Sequence, residues 1–138
     1  MRQDILTVLK GRVVVADGAM GSLLFDRGVD GSSCYDVLNL TDPALVGSIH
    51  KAYAEAGAEV IETNTFGANR IKLGRFDLAA RTREINLRGA DLARSQAGAA
   101  RWVAGAMGPL GRMGEDQVAE TDLEDVFAEQ ARALVEGG

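Results

Sequence analysis

Three short apolar runs, RVVVAD, AEVIETNTF and RWVAGAM, recur along the chain, and each is followed by a stretch with helical periodicity. The runs are of strand length and carry β-branched residues, which favour a pleated, half-buried surface. Strands that alternate with helices connect through right-handed crossovers, which makes them parallel. The expected class is therefore α/β: a leading helix and three βα units, with residues 1–138 in one domain. The pattern stops at Gly137-Gly138, where a fourth strand is expected, so the chain reads as cut short. Three parallel strands leave two unpaired edges and too little cover for both faces.

Local punctuation places the helices. Ile5, Leu6 and Leu9 give a short leading helix, and GAMGSLLFDRG reads as a turn into a brief helix closed by Gly28. Residues from Val29 to Leu40 show no clear period and are expected to be irregular. Asp42 suits an N-cap, Pro43 a first helical position and Gly57 a C-terminal stop. In the helix they bound, Leu45, Ile49, Ala52, Tyr53 and Ala56 share one face. A long helix is expected over DLAARTREINLRGADLARSQAG, with Leu78, Ile85 and Leu92 in line, and Thr121 with Glu124 gives a capping box for the last one.

Composition narrows the function classes. With 46% hydrophobic and 25% charged residues the chain is expected to fold rather than stay disordered. Its net charge of -5, without a Lys/Arg run, argues against a nucleic-acid surface. No apolar stretch reaches the roughly 20 residues of a membrane span, and the charged N-terminus lacks the apolar region of a signal peptide. The single cysteine, Cys34, forms no internal disulfide, so a reducing cytoplasm is the expected location.

In parallel α/β architectures binding groups gather at the carboxyl ends of strands. Here those ends are DGAMG, ETNTFGAN and GAMGPLG. In the first, Asp17 ends a strand and Gly18 lets backbone N–H groups approach a ligand. The N–H groups favour a carboxylate or phosphate, whereas Asp17 favours an ammonium and repels phosphate. The pair suits a zwitterion, an amino-acid head group; the alternative is that Asp17 merely caps the next helix. Neither a dinucleotide fingerprint nor a Walker lysine is present. The second GAMG lacks a preceding acid and runs into Pro109 and Gly111, so it is expected to shape the rim rather than bind phosphate.

In ETNTFGAN, strand alternation puts Val60, Glu62 and Asn64 on one face and Ile61, Thr63 and Thr65 on the other. A fully covered strand would bury Glu62, and a buried carboxylate needs partners. Glu62 and Asn64 either meet a ligand or tie neighbouring strands together. Asn69 either closes the loop or reaches the ligand. His50 is a surface or packing residue, Cys34 a small apolar filler and Trp102 a packing residue.

DGAMGSLL, YAEAGAEVIETNTFGANRIKL, REINLRGADLAR and VAGAMGPLG, in that order, resemble the homocysteine S-methyltransferase family over nearly the whole chain, from about Leu6 onward. The resemblance implies a (β/α)8 TIM barrel, of which this chain supplies the opening helix and first three βα units. It implies that Asp17 holds the homocysteine amino group, that Gly18, Ala19 and Met20 receive its carboxylate, and that Glu62, Thr63, Asn64 and Phe66 belong to a second active-site loop. Family chemistry uses zinc to favour the homocysteine thiolate, on cysteines from the later part of the barrel. Those motifs are absent here, Cys34 is misplaced for them, and a glutamate on the next strand is missing too. The resemblance therefore implies a chain without a catalytic residue or metal ligand of its own, inactive alone and weak in homocysteine binding. The methyl source of the parent enzyme, folate through cobalamin or another donor, is left open. Two other functions compete: a non-catalytic half-barrel that self-associates through its strand edges, and a module for another amino acid or small anion.

Overall fold

The computed structural model describes residues 3–110 and 120–138. Helix α1 (Ile5–Leu9) opens the chain, with the Asp4 carboxylate accepting the Thr7 N–H as its cap. Then follow α2 (Met20–Asp26), α3 (Leu38–Thr41), α4 (Pro43–Glu55), β1 (Val60–Glu62), α5 (Arg70–Gly74), a 3-10 turn (Ala79–Arg81), α6 (Thr82–Ala97), β2 (Trp102–Ala104) and α7 (Glu120–Gly137). The strands β1 and β2 are parallel, with Val60 opposite Trp102 and Glu62 opposite Ala104. The α/β class and parallel pairing agree with the alternation of the sequence.

The first expected strand is reduced to an extended segment. It meets β1 at one parallel bridge, Ala16 to Val60, and through the Asp17 N–H donating to the Val60 carbonyl at 2.9 Å. Its Val15 N–H goes to the Glu59 side chain at 3.2 Å instead of to a strand partner. Val13 and Val15 are 84% and 55% exposed, so apolar composition here is not matched by cover among the described residues. The other two runs form strands too, but of three residues each.

Most helix punctuation acts as expected because it is local. The Asp42 carboxylate accepts the Leu45 N–H at 3.1 Å, Pro43 opens α4, and Gly57 takes φ 105 just past the helix. Two expectations change. The irregular stretch ends in the short α3, and the long helix splits, since Asp77 adopts φ 58 and a 3-10 turn precedes α6. Ile85 and Leu92 are buried on α6, while Leu78, outside it, packs on the cluster of Cys34, Ala68, Leu73 and Ile85. The Thr121 side chain expected to cap α7 lies outside the described residues.

The buried stripe of α4 is also turned from the expected one. Val46, Ile49, His50 and Ala54 are buried, whereas Ala52 and Ala56 face solvent. His50 is a packing residue; both its ring nitrogens lack a partner among the described residues, and burial lowers its pKa to about 4. It is neutral at pH 7, which lets it sit in the core. Ala54, Ala58, Ile61, Ala93 and Ala97 form a second cluster between α4, α6 and the sheet, with Tyr53 and Val103 packed on it. Arg101 caps both helices of this layer, donating to the carbonyls of Ala54 at 2.8 Å and Ala58 at 2.9 Å, and to that of Ala97 at 3.5 Å. A cation at helix C-termini meets the negative end of each macrodipole. Trp102 is buried, as a packing residue, and its indole N–H donates to the Gln3 carbonyl. Among the described residues no helix is long and apolar enough to cross a membrane.

Candidate functional site

The first segment ends at Asp17, shortly before α2. Both Asp17 carboxylate oxygens stand 3.1 Å from the Glu62 main-chain N–H, which donates to them. The N-cap of α2 is instead Ala19, with no side-chain cap bond, so Asp17 is not its cap. The acid thus bridges the first segment to the end of β1. Burial pushes its pKa up to about 6, against the pull of the Glu62 N–H, and the nearby Glu62 charge raises it further. No cationic side chain among the described residues pairs with it. A half-buried carboxylate that remains largely ionised at pH 7 yet lacks a cation is chemically suited to an ammonium.

Gly18 lies against Tyr53: a Cβ there would be 3.1 Å from the tyrosine hydroxyl. That hydroxyl donates to the Ala19 carbonyl at 2.9 Å. Spacing places Tyr53 on one face of α4 with Leu45 and Ile49; its polar end at this corner has no local sequence signal.

The ETNTFGAN loop differs from its expected alternation. Glu62 is exposed, not buried, because the face of β1 that carries it has no cover among the described residues. Ile61, Thr63 and Thr65 face inward, and Asn64, beyond the strand end, is buried as well. The threonines form a closed ring of hydrogen bonds with the second GAMG. The Thr65 hydroxyl donates to the Ala106 carbonyl at 2.8 Å, and the Ala106 N–H donates to Thr63 Oγ1 at 2.9 Å. The 2.6 Å contact between the hydroxyls must then run from Thr63 to Thr65. Every proton in the ring has one place to go.

Asn64 is fixed just as firmly. Its amide donates to the Tyr35 carbonyl at 2.8 Å and to Asn39 Oδ1 at 3.2 Å, while Asn39 Nδ2 donates back to the Asn64 carbonyl at 2.8 Å. Deeper in, the Gln130 amide donates to the Thr65 carbonyl at 2.8 Å and to Asn86 Oδ1 at 3.2 Å. Asn64 therefore ties the end of β1 to α3 and the loop before it, not to a neighbouring strand, whereas Glu62 makes its tie to Asp17 through its main chain. Gly89 must be small here, since a Cβ would stand 2.6 Å from Thr65 Cγ2 and 2.7 Å from Asn39 Nδ2. Asn69 closes the loop: its Oδ1 accepts the Lys72 N–H at 2.9 Å and caps α5.

Between α2, the loop before α3 and the ETNTFGAN loop lies an open cleft of about 750 Å³. Ala19, Met20, Thr63, Asn64 and Phe66 line it; Asp17, Gly18 and Glu62 form the corner beside it and are not in its lining. Tyr35, Asp36, Lys72 and Phe76 also line the cleft and were not singled out from the sequence. Phe66 is 60% exposed, with the Lys72 ammonium 5.3 Å from its ring centroid. Burial raises the pKa of Asp36, although its Oδ1 accepts the Gly67 N–H at 2.9 Å. Only the spacing Phe66 to Lys72, across a capped turn, could have suggested such a wall; the others come from distant loops.

Among the described residues no three His, Cys, Asp or Glu side chains gather as metal ligands. Cys34 is buried in an apolar cluster, and burial raises its thiol pKa, which disfavours the thiolate a metal needs. These residues do not fit a zinc site.

The model of the family described as homocysteine S-methyltransferase matches residues 14–138. The methionine synthase of Mycobacterium tuberculosis is 40% identical over 152 aligned positions, which cover 98% of this chain and 12% of that protein. Its Mycobacterium leprae counterpart is 38% identical with the same coverage, so the chain spans about an eighth of the length of these relatives. The metallated form of the homocysteine methyltransferase MmuM from Escherichia coli superposes with a TM-score of 0.79 at 22% identity, covering 96% of this chain and 53% of that one. At that identity the likeness speaks for the fold alone.

Proposed function

The chain belongs to the homocysteine S-methyltransferase family, and from that premise we propose that its Asp17 corner receives the head group of homocysteine. The observation that carries the reading is the Asp17 carboxylate: half-buried, anchored on the Glu62 N–H and without a cationic partner among the described residues. A carboxylate so placed gains most from a ligand ammonium, because burial strengthens the attraction that water would screen. In this reading the main chain of Gly18, Ala19 and Met20 faces the ligand carboxylate. Thr63, Asn64 and Phe66, with Glu62 at their edge, form the wall along which the thiol extends.

The residues form the opening helix and first three βα units of a (β/α)8 barrel in this proposal. Zinc, when bound in a complete family enzyme, stabilises the homocysteine thiolate. The single cysteine of this chain cannot supply such a site, so residues 1–138 bind the amino acid weakly and transfer no methyl group on their own. The methyl source, cobalamin and folate included, is the business of other parts of a parent enzyme.

Calorimetric titration of the 138-residue chain with L-homocysteine tests this. Asp17→Asn should weaken binding at least tenfold, and 4-sulfanylbutanoate, which lacks the amino group, should bind equally poorly to both proteins. Equal affinity of the two proteins for homocysteine would overturn the assignment of Asp17. Preference for homoserine or methionine would point to a module for another amino acid. Methionine formed by the chain alone with zinc and a methyl donor would overturn the proposed inactivity.

A second reading has its own observation. Val13 and Val15 expose apolar side chains along the first segment, an edge of the sheet that a second copy can cover. Sedimentation equilibrium decides: a dimer broken by Val13→Lys supports pairing through this edge, and a monomer at micromolar concentration removes it.

A further inference from the structure

A folded chain leaves few buried polar groups without a partner, because each one forfeits its hydrogen bonds to water. Two of the exceptions in this chain stand on adjoining segments. Asn69 and Gln130 are both fully buried. Asn69 Nδ2, a donor, and Gln130 Oε1, an acceptor, have no hydrogen-bond partner among the described residues.

The identity of each leftover atom is dictated by what the rest of its amide does. Asn69 Oδ1 accepts the Lys72 N–H at 2.9 Å to cap α5, so the atom that remains is the Nδ2 donor. The Gln130 amide faces two acceptors, the Thr65 carbonyl at 2.8 Å and Asn86 Oδ1 at 3.2 Å. Asn86 Oδ1 is itself fixed as an acceptor, since Asn86 Nδ2 donates to the carbonyls of Ala68 at 2.6 Å and Thr82 at 2.8 Å. Gln130 must therefore present its nitrogen to that pair, which leaves Oε1. Exchanging oxygen and nitrogen in either amide would break bonds already made.

The same neighbours bring the two segments together. Arg70, next to Asn69, pairs with Glu129, next to Gln130, at 3.0 Å. The Thr65 carbonyl that accepts from Gln130 also accepts the Ala68 N–H at 3.0 Å. Asn86 then joins Gln130 to the Ala68 carbonyl, which belongs to the peptide group leading into Asn69. A donor and an acceptor left over between such segments call for a group that both accepts and donates. The Asn69 N–H repels a cation and Gln130 Oε1 repels an anion, whereas a water molecule satisfies both.

We propose that one internal water bridges Asn69 and Gln130, accepting from Asn69 Nδ2 and donating to Gln130 Oε1. It fastens the start of α5, and with it the end of the ETNTFGAN loop, to α7. The inference is independent of the head-group reading.

A high-resolution crystal structure of the 138-residue chain tests this, together with water–proton Overhauser spectra of the same protein in solution. One water should stand within hydrogen-bond distance, about 2.7–3.2 Å, of both atoms. The Asn69 side-chain amide protons should show a cross-peak with the sign of a long-lived internal water. Spectra in the laboratory and rotating frames separate that signal from proton exchange. Gln130→Met keeps the side chain's length and removes the acceptor, so the cross-peak should be lost; full retention would overturn the bridge. So would a direct bond between the two amides, separate waters on the two atoms, another partner for either, or the lack of any internal-water signal at Asn69. If Gln130→Met does not fold, the crystal structure and spectra of the unmodified chain still decide.

Discussion

The tetrapeptide GAMG occurs twice, at residues 18–21 and 105–108, and the structure uses the two copies in opposite ways. The first is a link between an anchored acid and a short helix; its glycines meet side chains, Tyr53 at Gly18 and Tyr35 at Gly21. The second is clamped. Ala106 is enclosed in the ring with Thr63 and Thr65, and the Gly108 N–H donates to the Phe66 carbonyl at 2.9 Å. A Cβ at Gly108 would stand 2.5 Å from that carbonyl oxygen and 2.7 Å from the Phe66 ring. Identical letters after similar strands thus make a hinge in one place and a seat for a neighbouring loop in the other. What separates their last glycines, Gly21 and Gly108, is the partner each meets: a side-chain tip can give way, whereas a backbone carbonyl cannot.

The largest effect should therefore come from the second copy. Gly108→Ala forces either the Phe66 main chain or the 105–108 loop to move, a form of overpacking expected to cost about 3 kcal/mol. Urea denaturation of the purified variant measures it. A loss below about 0.5 kcal/mol, the range of an ordinary surface change, would show that the two copies are not different in kind.

Next comes the threonine ring. Thr65→Val keeps the shape of a fully buried side chain but removes the donor to the Ala106 carbonyl and the acceptor of the Thr63 hydroxyl. Leaving such groups unpaired should cost about 1–3 kcal/mol. The Ala106 amide should also exchange with solvent faster, since the loop it belongs to is no longer tied. By contrast, Tyr53→Phe in the first copy removes one hydrogen bond at the surface and should cost about 1 kcal/mol or less. A reversal of that order would mean the first copy is the tighter of the two.

How much of this was legible beforehand follows from the range over which each interaction acts. The caps at Asp42, Asn69 and Gly57 join residues a few positions apart, so residue type and spacing reveal them. The alternation of strands and helices is likewise a local signal repeated. The partners of Thr63, Asn64 and Tyr53 lie 43, 25 and 34 positions away, and no local pattern encodes them. Glu62 shows the other limit, since strand alternation names two faces without saying which is covered. His50 shows a third: a polar letter moves the apparent apolar stripe of α4, although a neutral imidazole packs well. Asp17 was legible as the acid of the first copy, but its anchor on β1 was not.

The burial of the Asp17 corner gives the comparison a pH dependence. The folded Asp17 pKa, about 6, lies above the ordinary 3.8 because burial disfavours the charge. Between those values the folded chain binds the proton more tightly than the unfolded one, so Asp17 favours folding at low pH and this contribution is lost as pH rises through 6. Other acids act in the opposite sense: the Arg12 guanidinium lowers the Glu59 pKa, and the Ser32 N–H lowers that of Asp30. The Asp17 effect is therefore read as a difference. The stability of Asp17→Asn relative to the unmodified chain should rise between pH 4 and pH 7. A flat difference would show that the carboxylate is not held in a burying corner.

The smallest effect is expected at Gly21, the last residue of the first copy, which is matched in the tetrapeptide by Gly108. Gly21 lies within α2, where glycine is the poorer helix former by about 1 kcal/mol relative to alanine. Its added Cβ would meet the Tyr35 ring at 3.4 Å, a distance that the ring can relieve by a slight tilt. Gain and crowding nearly offset, and Gly21→Ala should leave stability within about 0.5 kcal/mol, on the stabilising side. The same letter change in the other copy, at Gly108, meets main chain instead of a ring edge. Measured side by side in one denaturant series, the two alanines put the difference between the copies on a single scale. If Gly21→Ala proved as damaging as Gly108→Ala, Tyr35 would have to be as immobile as the Phe66 backbone, and the wall of the cleft would be fixed on both sides.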